Sequence, residues 1–513
     1  MDGVAPAAAL AATPIALILA LMLRWQWSAA RAGCAGLALA VVLALGVFGF
    51  GRAADAAGGW RDGVGVAAEG GFLALTILWI LWPALALHHL QERSGAIATL
   101  RDALARLTPR PALQALLVGW LLALFFEGAA GFGAPVALAA PILVGLGYPP
   151  VQAVALALIG HAAGVSFGAL GTPVLAQAAL SGVDAWQIAW RTALLHAALG
   201  AVLMLFFVRM LAASGHRTGF GWPALAAAGF FVPSLALAAW LGPELATLGA
   251  ALVGGALFVA ALRWRNARAA ALAPPGGPAA AGAPPGALLR ALAPYLVLVL
   301  LVVATRAVAP LREWLAEAAL AWTLFGRYGA GTQWLAHPGT LLLAALLVGA
   351  RLQGLALREV VSALAQSARR LLPVTVALLA MLLLSRLMLH AGMIGALERG
   401  AVAGLGEAWP WVAPAVGALG SFVTGSATAS NVLFTTLQAQ TAIALGLPVA
   451  TLLAAQGFGA AVGNIVCPHN VVAGAATVGL AGREGEVLRR TLLPCLAYLA
   501  LGGAAVAAWV AWG

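Results

Sequence analysis

The chain contains no lysine: all 27 of its basic residues are arginine, and only 16 are acidic. Charged residues make up 8% of it, against roughly 25% in an ordinary soluble domain. That scarcity excludes a conventional solvated surface. Cysteine is scarce too. Cys34, Cys467 and Cys495 lie in or beside apolar segments, which supports neither a disulfide framework nor a zinc site. The stretch "HHLQE" (88–92) lacks the HExxH spacing of a metalloprotease. No paired carboxylates or metal-ligand clusters stand in the apolar segments, so neither an enzyme nor a bound cofactor is expected.

Long apolar runs are abundant. Hydrophobic residues make up 63% of the chain, and runs such as 4–23, 32–50, 188–208 and 291–305 recur from end to end. About 20 apolar residues are needed to span a bilayer as a helix. The runs do not alternate, which argues against a β-barrel. The expected class is an all-α polytopic membrane protein. The first run follows acidic Asp2 rather than a basic segment, so it reads as a retained span and not a signal peptide.

The net charge of +11 does not point to nucleic acid, because the arginines mark alternate loops. Loops 24–31, 88–111, 209–217, 263–290, 351–370 and 483–490 carry them, the positive-inside pattern. With these placed in the cytoplasm, 51–63, 310–337 and the N-terminus fall outside. A bacterial inner membrane is the expected location, with lipid as the surrounding partner.

"APPGGPAAAGAPPG" (273–286) has nothing to pack and reads as a linker. It divides the chain into an N-terminal unit (1–262), a cytoplasmic connection (263–290) and a C-terminal unit (291–513). The units resemble each other. "SGAIATL" (94–100) matches "AGMIGAL" (391–397), and "FFEG" (125–128) matches "FVTG" (422–425), both displaced by 297 residues. "LGYP" (146–149) matches "LGLP" (445–448), and "RTALL" (191–195) matches "RTLLP" (490–494), both displaced by 299. The loop assignments insert the two units with opposite orientation. Inverted-topology repeats, each with a re-entrant hairpin and a broken helix, are expected, an arrangement used by secondary transporters.

Four stretches interrupt the apolar pattern. "EGAAGFGAP" (127–135) sets Glu127 among glycines, including Gly131 and Gly133. Its counterpart "TGSATASNVLFTTLQ" (424–438) carries Ser426, Thr428, Ser430 and Asn431 without charge. "IGHAAGVSFGALGTP" (159–173) holds His161 and Ser166, and "GFGAAVGNIVCPHNVVAG" (457–474) holds Asn464, His469 and Asn470. Non-helical backbone at membrane depth is tolerated where it is buried in protein or lines a watery cavity. Exposed amides and hydroxyls at a helix start would favour an anion. The substrate candidates are Gly131, Gly133, Ser426, Thr428, Ser430, Asn431, Asn464 and Asn470. Glu127, His161 and His469 are the candidate proton carriers, since ionisable groups at membrane depth are costly and usually functional.

Plainer roles compete with these. Small residues let membrane helices pack closely, and hydroxyls bond back to their own helix. Glu127 could hold loop backbone. Arg306 and Arg386, near the outer ends of their spans, either snorkel to the interface or recruit an anion.

At this point the chain resembles the L-lactate permease family of bacterial carboxylate transporters over roughly 60–510. The likeness is carried by "EGAAGFGAPVALAAPILVGLGYPP", "VSFGALGTP", "GSATASNVLFTTLQ" and "GLAGREGEVLRRTL". It implies uptake of lactate, glycolate or a related 2-hydroxy-monocarboxylate with protons. Four positions depart from the family pattern. Ala427 stands where an acidic residue usual in the family follows the Gly–Ser pair. Asn464 and His469 replace a lysine and a glutamine, and His161 an asparagine. An acidic and a basic residue are thus lost together, while two histidines are gained.

The expected function is a symporter for a small organic monocarboxylate, driven by protons. Sodium coupling, a different carboxylate and an anion channel are the alternatives, and a homodimer is compatible with each.

Overall fold

The computed structural model describes the chain except for residues 1–3, 26, 52–57, 106, 132, 272–284, 481–482 and 513. Most of the linker at 273–286 therefore lies outside the described residues, as does the side chain of Arg306. Twelve helices among the described residues are long and apolar enough to cross a membrane. The protein is an all-α polytopic membrane protein with one small addition. Large apolar side chains such as Val42, Leu300 and Leu372 are exposed on its outer helices, where a lipid-facing surface needs them.

The buried centre is built from four interrupted elements. Hairpin 1 climbs through a π-helical stretch, Leu116–Leu122, into Ala123–Ala129 and returns as Ala134–Gly145. Broken helix 1 runs as Pro150–His161, loosens into a 3-10 turn at Ala162–Phe167, and resumes as Gly168–Ser181. Hairpin 2 pairs Trp409–Thr424 with Ala427–Ala444. Broken helix 2 consists of Val449–Gly463 and Pro468–Thr477. Each half of the chain thus contributes one hairpin and one broken helix.

Small residues explain how tightly these pack. The Cα of Gly160 lies against the carbonyl of Gly119, and a Cβ there would collide with it. Gly459 and Gly463 lie in the same way against the carbonyls of Pro414 and Ala418. Close approach of helix backbones is the usual device where lipid removes the hydrophobic drive for association. Side chains then tie the two halves together. Asn431 Nδ2 donates to the carbonyl of Pro173 at 3.0 Å, and Gln177 Nε2 to that of Leu453 at 2.7 Å.

The long helices Gly58–Arg93 and Leu357–His390 pack against each other beside this centre. A two-stranded antiparallel hairpin caps one end of the pair: β1 (Ala319–Leu324) and β2 (Tyr328–Gln333). It falls in the segment expected only as an external loop. Its turn uses Phe325 and Gly326, both at positive φ, and the Tyr328 hydroxyl donates to Asp62 at 2.6 Å.

Candidate functional site

The two hairpin tips and both helix breaks converge on one small cavity. Its volume is about 40 Å³, room for roughly three water-sized groups. Hairpin 1 contributes Glu127, Gly131 and Gly133; hairpin 2 contributes Gly425, Ser426, Ala427 and Thr428. Broken helix 1 supplies Val165, Gly168, Ala169 and Pro173, and broken helix 2 supplies Asn464 and Asn470.

Glycine shapes the first tip. Gly131 (φ 62°) and Gly133 (φ 78°) take left-handed conformations that side-chain-bearing residues rarely adopt. The returning helix starts directly after Gly133, with Pro135 in its first turn. The second tip ends one helix on Gly425 (φ 75°) and starts the next on Ser426, whose Oγ accepts from the amide of Ala429 at 3.3 Å. A third helix starts at Pro468, placing Asn470 in its first turn. Gly133 and Cys467 make no side-chain cap bond to the helices they precede. Three helix N-termini therefore converge on one cavity, and each carries partial positive charge from unpaired amides.

Among the described residues lining this cavity, Glu127 is the sole titratable side chain, and it is buried. Its carboxyl rests against Gly168, where a Cβ would collide with Oε1, and against Gly131. Its Oε2 lies 3.9 Å from Nε2 of His161, too long for a direct hydrogen bond. The other ring nitrogen, Nδ1, is 2.6 Å from the carbonyl of Ala157. A carbonyl only accepts, so Nδ1 carries the hydrogen. In the neutral ring, Nε2 then turns a lone pair toward Glu127.

The residues marked by sequence divide into two groups. Glu127, Gly131, Gly133, Ser426, Thr428, Asn464 and Asn470 all border the cavity. His161 stands one step behind Glu127. Ser430 and Asn431 are buried but turned elsewhere: Ser430 Oγ donates to the carbonyl of Gly417 at 2.7 Å, and Asn431 to that of Pro173. His469 is exposed on the neighbouring turn, with its Cβ against Gly425. Ser166 sits in a buried chain of its own. Its Oγ donates to the carbonyl of Gly457 at 3.0 Å and meets His196 Nε2 at 2.9 Å, while His196 Nδ1 meets the hydroxyl of Tyr498 at 2.9 Å. This chain fastens the loosened turn of broken helix 1 to its surroundings.

Asn470 donates to Asn464 Oδ1, which leaves its own Oδ1 buried without a partner. That oxygen faces Gly133, where a Cβ would approach it to 3.2 Å. A buried acceptor in this state costs about 1–3 kcal/mol unless a ligand or water supplies a donor.

Gly168, Ala169 and Pro173 were not singled out from sequence. Ala169 (φ 43°), Leu170 (φ 56°) and Gly171 (φ 77°) form a left-handed kink that interrupts the segment Gly168–Ser181. Two of the three are residues for which that conformation is costly. Gly171 was the visible signal, but it did not reveal that its neighbours share the turn.

The family model for L-lactate permeases matches residues 7–327 and 330–511. The chain is 29% identical to a putative L-lactate permease of Haemophilus influenzae over 455 residues, covering 82% of this chain and 85% of that one. It is 27% identical to the L-lactate permease of Escherichia coli K12 over 460 residues, 83% of each. It is 28% identical to the glycolate permease GlcA of the same organism over 469 residues, again 83% of each. Among solved structures, the fold is similar to the YdaH transporter of Alcanivorax borkumensis (TM-score 0.53, 18% identity, 94% of this chain and 98% of that one). It is also similar to MtrF of Neisseria gonorrhoeae (TM-score 0.52, 16% identity, 96% and 97%). These two likenesses concern the fold alone. The sequence matches span nearly the whole chain, and the protein belongs to the L-lactate permease family.

Proposed function

We propose that the protein is a secondary active symporter carrying a small organic monocarboxylate such as lactate or glycolate together with a proton. One observation carries this reading. Three helix N-termini and a single buried carboxyl surround a cavity whose described walls hold no arginine. The N-termini attract an anion. They do so without a permanent cation that would hold it too firmly to release. Glu127 is the group that exchanges a proton, and His161, with Nε2 turned toward it, accepts or relays that proton. The free Oδ1 of Asn470 suits a substrate hydroxyl donor, which favours a 2-hydroxy acid. The relatives named as lactate and glycolate permeases support the same substrate class.

The halves 1–262 and 291–513 are read as inverted repeats, each giving one hairpin and one broken helix. Alternating access then moves this central unit against the long helices beside it. The expected setting is a bacterial inner membrane.

Uptake of labelled L-lactate, glycolate and longer monocarboxylates into proteoliposomes tests the proposal. The expected result is saturable uptake accelerated by an inward proton gradient and indifferent to sodium. Acceleration by sodium alone replaces the coupling ion. Uptake that does not saturate turns the reading to a channel.

A further inference from the structure

A second cavity, of about 250 Å³, lies beneath the β hairpin between the two long helices and the end of broken helix 1. Gly329 and Gly331 on its rim are exposed, so it reaches the surface. On its wall stands Arg386, whose side chain is only 11% exposed. The arginine does not snorkel to an interface; it is turned inward.

Its bonding is incomplete. Nη2 donates to the carbonyl of Leu180 at 3.3 Å, and Nε has no partner. Glu69 lines the same cavity, but its carboxylate is already engaged. Its Oε1 accepts from the amide of Gly329 at 3.0 Å, and its Oε2 is 2.8 Å from His390 Nε2. Arg386 Nη1 reaches that same Oε2 only at 4.0 Å. A guanidinium offers five N–H donors in a planar fork that fits a carboxylate in two-point contact. Here most of that fork has no protein acceptor in the described structure.

Position adds to the argument. Leu175 and Ala179, on the regular helix beyond the kink at 169–171, line this cavity, while Pro173 at the start of that helix lines the central one. The two spaces lie along one helix, and Arg386 holds its far end through Leu180.

We propose that Arg386 forms a second anion site, at the mouth of the route to the central cavity, which a small monocarboxylate occupies before it is transported. The choice of a carboxylate rests on the transport function proposed above; the anion site itself does not. Thr332, on β2, lines the cavity and is half-buried, which makes it a suitable reporter.

The experiment uses the full-length protein in detergent, with exposed Cys34 changed to Ser and Thr332 changed to Cys. Labelling rates are compared for a negatively charged methanethiosulfonate and its positively charged counterpart. The anionic reagent is expected to react at least about tenfold faster, as local potentials of this kind allow. Arg386→Gln should erase that preference and Arg386→Lys should retain most of it. Equal rates for both reagents, or a preference untouched by Arg386→Gln, overturn the site. L-lactate and glycolate should slow the labelling. A preserved charge preference with no protection by either overturns the carboxylate assignment while the anion site stands, so the two failures are distinguishable. Thr76→Cys, on the helix Gly58–Arg93 that also lines the cavity, serves the same purpose if the Thr332 variant does not fold.

Discussion

The tip of hairpin 1 turns on two left-handed glycines and bears one carboxyl, whereas the tip of hairpin 2 turns on one glycine and is then laced by side chains. The single hydrogen of the Thr424 hydroxyl is shared between the carbonyls of Gly420 at 2.8 Å and Ser426 at 3.1 Å, and Ser426 caps the helix that follows. Ser430 and Asn431 fasten that helix to Gly417 and Pro173. Among the described residues at hairpin 1, the comparable contacts of the tip are backbone turns and the packing of Glu127 on Gly168. The difference separates two tasks. One tip presents a group that can change charge, and the other holds its amides in a fixed direction.

The largest effect is expected from hairpin 1. Glu127→Gln keeps the shape and removes the titration, so proton-driven uptake should fall to the level of empty liposomes in a folded protein. Normal pH-dependent uptake by this variant would break the comparison. Gly168→Ala is next. Its Cβ collides with the Glu127 carboxyl, and overpacking of this kind costs about 1–3 kcal/mol. Uptake should drop sharply, while Gly145→Ala, which meets nothing within 4 Å, should leave it unchanged.

Substitutions on hairpin 2 should act more gently. Asn431→Ala strands the carbonyl of Pro173 at a cost of about 1–3 kcal/mol. Lower thermal stability in detergent is expected, with the apparent KM retained; a raised KM at full stability would make Asn431 a substrate contact after all. Ser426→Ala removes a cap worth about 1 kcal/mol. Because Ser426 itself borders the cavity at this helix start, apparent affinity should weaken roughly fivefold, measured as KM with Vmax preserved.

What the sequence disclosed follows from where its signals are physical. Apolar runs of bilayer length announce the class. Glu127 stands out because a carboxylate among apolar residues is rare. Gly131 and Gly133 mark a turn that few other residues can make. Ser430 and Asn431 were harder to place. Residues 427–439 are buried on every side, so no amphipathic stripe shows which face meets the cavity. Ser426 and Thr428 face it, and the two that follow face neighbouring backbone. The left-handed Ala169 and Leu170 were invisible for another reason. Local preference opposes that conformation; it occurs where Gly171 lies against Pro243 and the Thr172 hydroxyl donates to the carbonyl of Ala169. The β hairpin escaped notice because its strands are six residues each and rich in alanine and glycine.

The absence of any permanent cation among the described residues of the central wall has an energetic corollary. A monoanion that crosses with one proton moves no net charge. Carrying a single charge through 100 mV costs or yields about 2.3 kcal/mol. A symporter with one exchangeable carboxyl would forgo that drive, and would be spared its opposition. On the proposed reading, the acidity difference and the substrate gradient alone set how far accumulation proceeds. Collapsing the membrane voltage with potassium and valinomycin would then leave the final level unaltered.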